Sequence, residues 1–149
     1  MNLTKNVEII RATTARTKKA SSMTSKVVDM SGYEGCCFVV CMSTLTLSSS
    51  KVKAYVGMST ISTGTFNYSV SYAQSSSGMA AGVNKRLLIL DVYKPREQYL
   101  KCKVAGASSS GPIDVILALK YGPRKPGSTG IGDSTSIADS TLLISPATA

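Results

Sequence analysis

The chain has 149 residues, of which 43% are hydrophobic and 17% are charged, which is enough apolar sequence for one domain with a single core. Seventeen Lys and Arg against eight Asp and Glu give a net charge of +9, and 23 serines and 14 threonines make up a quarter of the chain. Because these residues disfavour helix interiors, the composition predicts a β protein. Histidine is absent, which excludes most hydrolase and zinc chemistries.

In chain order, eight short β-rich segments alternate with turn signals, at residues 7–10, 26–30, 35–42, 51–58, 65–72, 86–93, 99–105 and 113–121. This spacing predicts a sandwich or barrel of antiparallel strands. The alternation is clearest in 65–72, where Phe66 and Tyr68 share one face, and it predicts a half-buried strand there. The more continuous apolar runs in 86–93 and 113–121 predict central strands that are covered on both faces.

The two ends of the chain differ from its middle. Residues 1–26 hold six basic residues and one acid, a local charge of +5, and residues 123–149 are rich in Gly, Pro, Ser and Thr. Serine clusters at 48–50, 75–77 and 108–110 predict loops. The sequence therefore predicts a basic N-terminal arm at 1–25, a β core at 26–122 and an extended C-terminal tail at 123–149.

The four cysteines are predicted to be free thiols. No stretch reaches the roughly 18 apolar residues of a membrane span, and no secretory signal is recognisable, so we expect folding in a reducing cytoplasm without a membrane partner. Cys36, Cys37 and Cys41 lie close together and Cys102 stands far off, which fits neither a zinc knuckle nor a disulfide framework. We expect buried, inert thiols and no bound metal. A redox role for Cys36 and Cys37 is the alternative.

The sequence offers little for an enzyme. It lacks the phosphate-binding G-x-x-x-x-G-K-[ST] pattern, its acids are scattered singly, and it has no Ser-x-x-Lys pair. We therefore expect no catalytic residues and no cofactor. The charge and the seven tyrosines could suit a single-stranded nucleic-acid-binding β-barrel, but the tyrosines alternate within apolar strand faces. Nucleic acid is thus an unlikely partner, and an acidic protein surface is the better one.

Two segments share one pattern, in which an aromatic residue ends a strand and a Pro-Arg turn follows. They are DVYKPREQYL at residues 91–100 and KYGPRKP at 120–126. Proline ends each strand, and a hairpin corner is the simplest interpretation. The functional interpretation adds that the basic residues sit on rigid turns, where they meet a partner at a lower entropic cost.

At these motifs the chain resembles small virion proteins that are encoded near the major capsid gene of tailed bacteriophages, of the head decoration or cement type. The resemblance runs through VVDM and GYEG at 27–35, the two turn segments, ID at 113–114 and SPATA at 145–149. It implies a jelly-roll-like β-sandwich that binds the major capsid protein on the capsid exterior, after assembly in the host cytoplasm. It also implies a homo-oligomer, a dimer or a trimer.

We therefore predict a non-enzymatic cement protein that bridges neighbouring capsomers. The candidate capsid contacts are the basic residues Arg11, Arg16, Lys18, Lys19, Lys94, Arg96, Arg124 and Lys125. The candidate oligomer contacts are the aromatic and apolar residues Tyr93, Tyr99, Tyr121, Leu142, Leu143 and Ile144. The alternatives are another virion role, in the neck, the tail or fibre attachment, and the nucleic-acid-binding barrel.

Overall fold

A computed structural model describes residues 6–13, 22–42, 53–68, 73–74, 87–105 and 113–123. These ranges contain nine strands, which are β1 (Val7–Arg11), β2 (Ser22–Thr24), β3 (Val28–Asp29), β4 (Tyr33–Met42), β5 (Lys53–Ser59), β6 (Ala73–Gln74), β7 (Leu87–Tyr93), β8 (Tyr99–Ala105) and β9 (Ile113–Pro123). The first sheet has the order β1-β9-β4-β7, and the second has the order β2-β8-β5-β6 with β3 also paired to β8. All pairings are antiparallel, so the predicted all-β sandwich is confirmed.

The core lies between the two sheets and follows the two-residue period of the strands. In β4, Cys36, Phe38 and Val40 are fully buried, and the residues between them are partly exposed. In β8, Cys102 and Val104 are buried in the same alternating way. Because successive side chains of a strand point to opposite faces, each sheet has one face in the core and one outer face.

Strands β2 and β3 form one edge of the second sheet, interrupted at Ser25. The Ser25 N–H donates to the Cys102 carbonyl over 2.7 Å, and the Ser25 hydroxyl accepts from the Cys102 N–H over 2.9 Å. The next residue turns toward the first sheet, because the Lys26 N–H donates to the Ala12 carbonyl over 2.6 Å. The Ser25 side chain thus replaces one step of the backbone ladder within the second sheet, and the Lys26 N–H links this edge to the first sheet.

Six of the predicted segments match observed strands, namely those at 7–10, 35–42, 51–58, 86–93, 99–105 and 113–121. The segment at 26–30 contains only the two-residue β3. In the segment at 65–72, the described part has a single bridge between Asn67 and Met58 rather than a strand. Its faces alternate as predicted, because Phe66 is buried and Asn67 is exposed, while residues 69–72 lie outside the described ranges.

The prediction that 86–93 forms a central strand is wrong. Among the described residues β7 pairs with β4 alone, so it is an edge strand, and the side chains of Leu87 and Ile89 are more than half exposed. The sequence of β7 is continuously apolar because its inner face packs into the core and its exposed outer face also carries apolar side chains. β9 does lie centrally, between β1 and β4.

The predicted N-terminal arm contributes strands to both sheets. Residues 7–11 form β1 and residues 22–24 form β2, because their apolar side chains alternate with outward ones and pair with β9 and β8. The remainder of the 1–25 segment, apart from 6, 12, 13 and 25, lies outside the described residues, as does the tail from residue 124 onward. No helix within the described ranges has the length and apolar character to cross a membrane.

Candidate interaction surfaces

The outer face of the second sheet carries three lysines, which we call the lysine face: Lys53 on β5, and Lys101 and Lys103 on β8. They point away from the core because they alternate with buried residues along each strand. Lys103 lies opposite Tyr55, and Lys101 lies opposite Gly57. Among the described strand residues of this outer face, the only carboxylate is that of Asp29, which lies opposite Tyr99 at one end of β8.

Two aromatic rings hold the lysine side chains in place. The Lys101 Nζ lies 4.6 Å from the centre of the Phe66 ring, and the Lys103 Nζ lies 5.6 Å from the centre of the Tyr68 ring. The rings cross the sheet at Gly57, where a Cβ would come within 2.7 Å of Tyr68. Cation–π contacts of this kind order long side chains, so the positive charges are positioned before any partner arrives.

A corner between the sheets presents two of the predicted basic residues. The turn at 94–98 joins β7 to β8, and together with residues 30–34 it lines a cavity of about 630 Å³. Lys94 has a positive φ of 49°, and its N–H donates to the Glu34 carbonyl over 2.8 Å. The Lys94 Nζ lies 5.2 Å from the centre of the Tyr93 ring, and Arg96 is exposed. The turn is thus fixed, and its cations face outward.

A polar cluster around Asp29 holds this corner together. One Asp29 carboxylate oxygen accepts from the Ser31 N–H at 2.8 Å, from the Ser31 hydroxyl at 2.7 Å and from the Gln98 amide at 3.1 Å. Burial acts to raise the pKa of Asp29, but these hydrogen bonds and the Lys120 charge outweigh it and hold the pKa below its ordinary value of 3.8. The carboxylate is therefore a fixed acceptor that ties the 30–32 turn to the 94–98 turn.

Behind the corner lies a buried lysine that the sequence analysis did not single out. The Lys120 Nζ lies 2.7 Å from a Glu8 carboxylate oxygen and donates to the Asp29 carbonyl over 3.1 Å. It also lies 4.3 Å from the centre of the Tyr33 ring. These contacts link both sheets at this end of the sandwich. The sequence does indicate that Lys120 points inward, because it follows the buried residues Ile116 and Ala118 at the two-residue period of the strand.

The structure brings the starts of the two Pro-Arg turns to one end of the molecule. Tyr93 and Tyr121 both pair with Gly35, on either side of β4. A Cβ at Gly122 would lie 2.9 Å from the Cβ of Glu34, the residue whose carbonyl also binds the 94–98 turn. Arg124 and Lys125 lie outside the described residues, so their place at this end stays a prediction.

Other predicted capsid contacts are separate from this corner or fall outside the described ranges. Arg11 is exposed on the outer face of the first sheet, where it pairs with Leu117, four residues along β9 from Tyr121. Arg16, Lys18 and Lys19 lie outside the described residues.

The predicted oligomer contacts are divided between the two sheets. Tyr93 is exposed on the outer face of the first sheet, and Tyr121 lies on the same face, where its hydroxyl donates to an Asp91 carboxylate oxygen over 2.7 Å. Burial, together with Asp91, raises the pKa of Tyr121. Tyr99 is half-buried on the second sheet. Leu142, Leu143 and Ile144 lie outside the described residues.

The cysteines fall into two pairs. Cys36 and Cys102 are buried, and burial raises the pKa of both thiols, that of Cys102 to about 12. Cys37 and Cys41 are partly exposed on the outer face of the first sheet; burial raises the pKa of each, helped by Asp91 for Cys37. None of the four has the lowered pKa of a reactive thiol. Within the described ranges, no three Cys, Asp or Glu side chains are grouped to hold a metal ion.

The comparisons with known proteins add no relative. No protein-family model matches the chain, and a search of curated proteins finds no match. The functional argument therefore depends on the surfaces themselves.

Proposed function

We propose that this protein is a non-enzymatic virion structural protein that binds the outside of a phage capsid and stabilises the contacts between neighbouring capsomers. The observation that carries this proposal is the lysine face. It places three cations on the surface of the second sheet, two of them held over aromatic rings, with Asp29 at one end as the only carboxylate on its described strands. A fixed array of one charge sign complements an acidic protein surface and sets the orientation in which the two proteins meet.

The strand order supports a jelly-roll architecture. When β2 and β3 are counted as one strand interrupted at Ser25, the sandwich has eight strands in two sheets of four. The chain crosses between the sheets at every connection except that from β5 to β6: from β1 to β2, from β3 to β4, from β4 to β5, from β6 to β7, from β7 to β8 and from β8 to β9. Double-sheet jelly rolls occur in viral capsid proteins, and the fold presents two outer faces through which a cement protein can bind its neighbours.

The lysine face favours a protein partner over single-stranded nucleic acid. Proteins that bind single strands offer free aromatic rings on which bases stack. Here the rings of Phe66 and Tyr68 each lie under a lysine ammonium group, and Phe66 is buried. The rings therefore position the charges and do not serve as stacking platforms.

Binding to purified cognate capsids that lack this chain tests the proposal. The double variant Lys101→Gln, Lys103→Gln removes two charges of the lysine face, and we expect it to weaken capsid binding by roughly tenfold or more. The single variant Lys103→Gln should also bind more weakly than the wild type, and Lys26→Gln is its matched control, because both lysines are exposed and each variant loses one charge. Binding of the control should remain close to that of the wild type in a co-sedimentation assay.

Three results would count against the proposal. These are failure of the wild type to bind capsids, binding of the double variant that is as tight as that of the wild type, and binding of the chain to single-stranded DNA at physiological salt without binding to capsids. The copy number in the particle separates cement from the other virion roles. A number close to that of the major capsid protein indicates cement, and a few copies per particle indicate a neck, tail or fibre-attachment protein.

A further inference from the structure

The outer face of the first sheet is apolar across all four strands. The strand register aligns Arg11, Leu117, Val39 and Ile89 in one row. The neighbouring rows contain Ile9, Leu119, Cys37 and Asp91 on one side, and Val115, Cys41 and Leu87 on the other. We call the uncharged members the apolar face: Ile9, Cys37, Val39, Cys41, Leu87, Ile89, Val115, Leu117 and Leu119.

An antiparallel sheet that meets water on one side normally carries polar residues there. The lysine face of the second sheet follows that rule, and the apolar face does not. Ile89 and Leu87 are 57% and 58% exposed at the edge strand β7, and the residues of β4 and β9 beside them are partly exposed. A contiguous apolar surface of this kind marks an interaction site.

We propose that a second copy of this chain covers the apolar face, in a face-to-face dimer whose two-fold axis runs parallel to the strands. Two charged side chains lie within the four-strand face, Arg11 on β1 and Asp91 on β7, at opposite edges of the sheet. Such an axis lays β1 of one copy over β7 of the other. Each Arg11 then approaches Asp91 of the partner subunit, one row away, a step of roughly 7 Å along the strand. The face is self-complementary, as a two-fold interface requires.

The charge balance of the chain also favours a second copy. Each copy carries +9, so two lysine faces repel one another. The apolar face has one cation and one anion within it and a further carboxylate, Asp114, at the β9 bulge on its rim. Two copies that meet through the apolar face therefore avoid the repulsion that two lysine faces would meet.

The size of the face predicts a dimer that dissociates on dilution. Four strands and three rows span roughly 19 Å by 20 Å, about 400 Å² for each copy and about 800 Å² in total. Stable specific interfaces exceed about 1,000 Å², so the apolar face alone is smaller than a stable dimer needs and supports a weak, transient one. We expect a micromolar dissociation constant, which the high local concentration on a capsid would overcome.

Sedimentation of the free chain over a wide concentration range tests the inference, and it needs no capsid, so its result is independent of capsid binding. The wild type should pass from monomer to dimer as its concentration rises. Ile89→Lys should weaken the dimer by at least about tenfold, because a cation enters an apolar interface. Ile61→Lys is the matched control, since Ile61 is 60% exposed but lies outside the apolar face, and it should dimerise as the wild type does.

Charge reversal tests the orientation of the two copies. Arg11→Asp should weaken the dimer by placing two carboxylates near each other, and the double variant Arg11→Asp, Asp91→Arg should restore it. Circular dichroism and urea unfolding identify variants that fail to fold. If the folded double variant dimerises no better than Arg11→Asp, the two-fold arrangement along the strands is wrong.

The native cysteines provide a readout without mutation. Cys37 and Cys41 lie on the apolar face, and Cys36 and Cys102 lie in the core. Thiol labelling of Cys37 and Cys41 should therefore slow as the protein concentration rises. A chain that stays monomeric, or forms trimers, overturns the inference. So does a monomer in which Cys37 and Cys41 become reactive only after removal of residues 124–149, because the tail would then be what covers the face.

Discussion

Removing the carboxylate of Glu8 should destabilise the protein more than removing both members of the Glu8–Lys120 pair. Glu8→Gln keeps the size of the side chain but leaves the Lys120 ammonium group without its counter-charge. The Lys120 side chain is only 9% exposed, and that of Glu8 is 18% exposed. An unpaired charge in such a place lacks both its partner and most of its water.

The geometry sets the size of the effect. Loss of one partner from a fully buried pair costs about 3–5 kcal/mol. Lys120 keeps its hydrogen bond to the Asp29 carbonyl and its contact with the Tyr33 ring, and Glu8 is partly solvated, so we expect a cost of about 2 kcal/mol for Glu8→Gln. The double variant Glu8→Gln, Lys120→Met has no buried charge, and we expect it to lie within about 1 kcal/mol of the wild type.

Urea unfolding of the wild type, Glu8→Gln, Lys120→Met and the double variant gives the four free energies of unfolding. Equal m-values in the series would show that the same amount of surface unfolds in each variant. The reasoning is refuted if Glu8→Gln lies within about 0.5 kcal/mol of the wild type, or if the double variant is less stable than Glu8→Gln. The first result would mean that the pair is solvated. The second would mean that Lys120 stabilises the fold through its contacts with Asp29 and Tyr33 even without its counter-charge.

Three further predictions concern the end of the sandwich that carries the turns. Because the folded-state pKa of Asp29 is lowered from 3.8, its ionised form stabilises the fold above that pH, and this stabilisation is lost as pH falls through the folded-state pKa. The melting temperature of Asp29→Asn should be below that of the wild type at pH 7, and the difference should shrink as the pH falls below 3.8. Lys94→Gly relieves a positive φ and should raise the free energy of unfolding by up to about 1 kcal/mol, measured in urea. In Gly35→Ala the new Cβ overlaps the Tyr121 ring, so we expect a loss of about 2–3 kcal/mol, and Gly35→Ala in a Tyr121→Ala background should cost less.

The sequence predicts which segments form strands better than it predicts which strands lie next to each other. Alternation placed β4, β8 and β9 correctly, because their buried residues follow a two-residue period. In Leu87-Leu88-Ile89-Leu90, both faces are apolar, and a strand buried on both sides has the same sequence pattern as an edge strand with an apolar outer face. The structure distinguishes these two cases, because among the described residues β7 pairs with β4 and with no other strand.

The surface residues were predictable only where their position depends on the local sequence. The turn at 94–98 was recognised from its Pro-Arg pattern, and the structure places Lys94 and Arg96 on it as exposed side chains. The lysine face was missed, because Lys53 and Lys103 belong to strands far apart in sequence, and their position one row apart on the same face depends on the β5–β8 register. Long-range pairing of this kind leaves no local signal in a single sequence.

The two outer faces give the sandwich two different modes of association, which respond in opposite ways to salt. Contacts through Lys101 and Lys103 are attractive toward an acidic surface and weaken as salt screens them. Contacts through the apolar face bring together two copies that each carry +9, so screening reduces their mutual repulsion and strengthens the dimer. Because the faces belong to opposite sides of the sandwich, the two proposed contacts do not overlap, and we expect one copy to bind a shell and a second copy at the same time. A module that links two sites on a shell in this way gains from avidity even when each contact is weak.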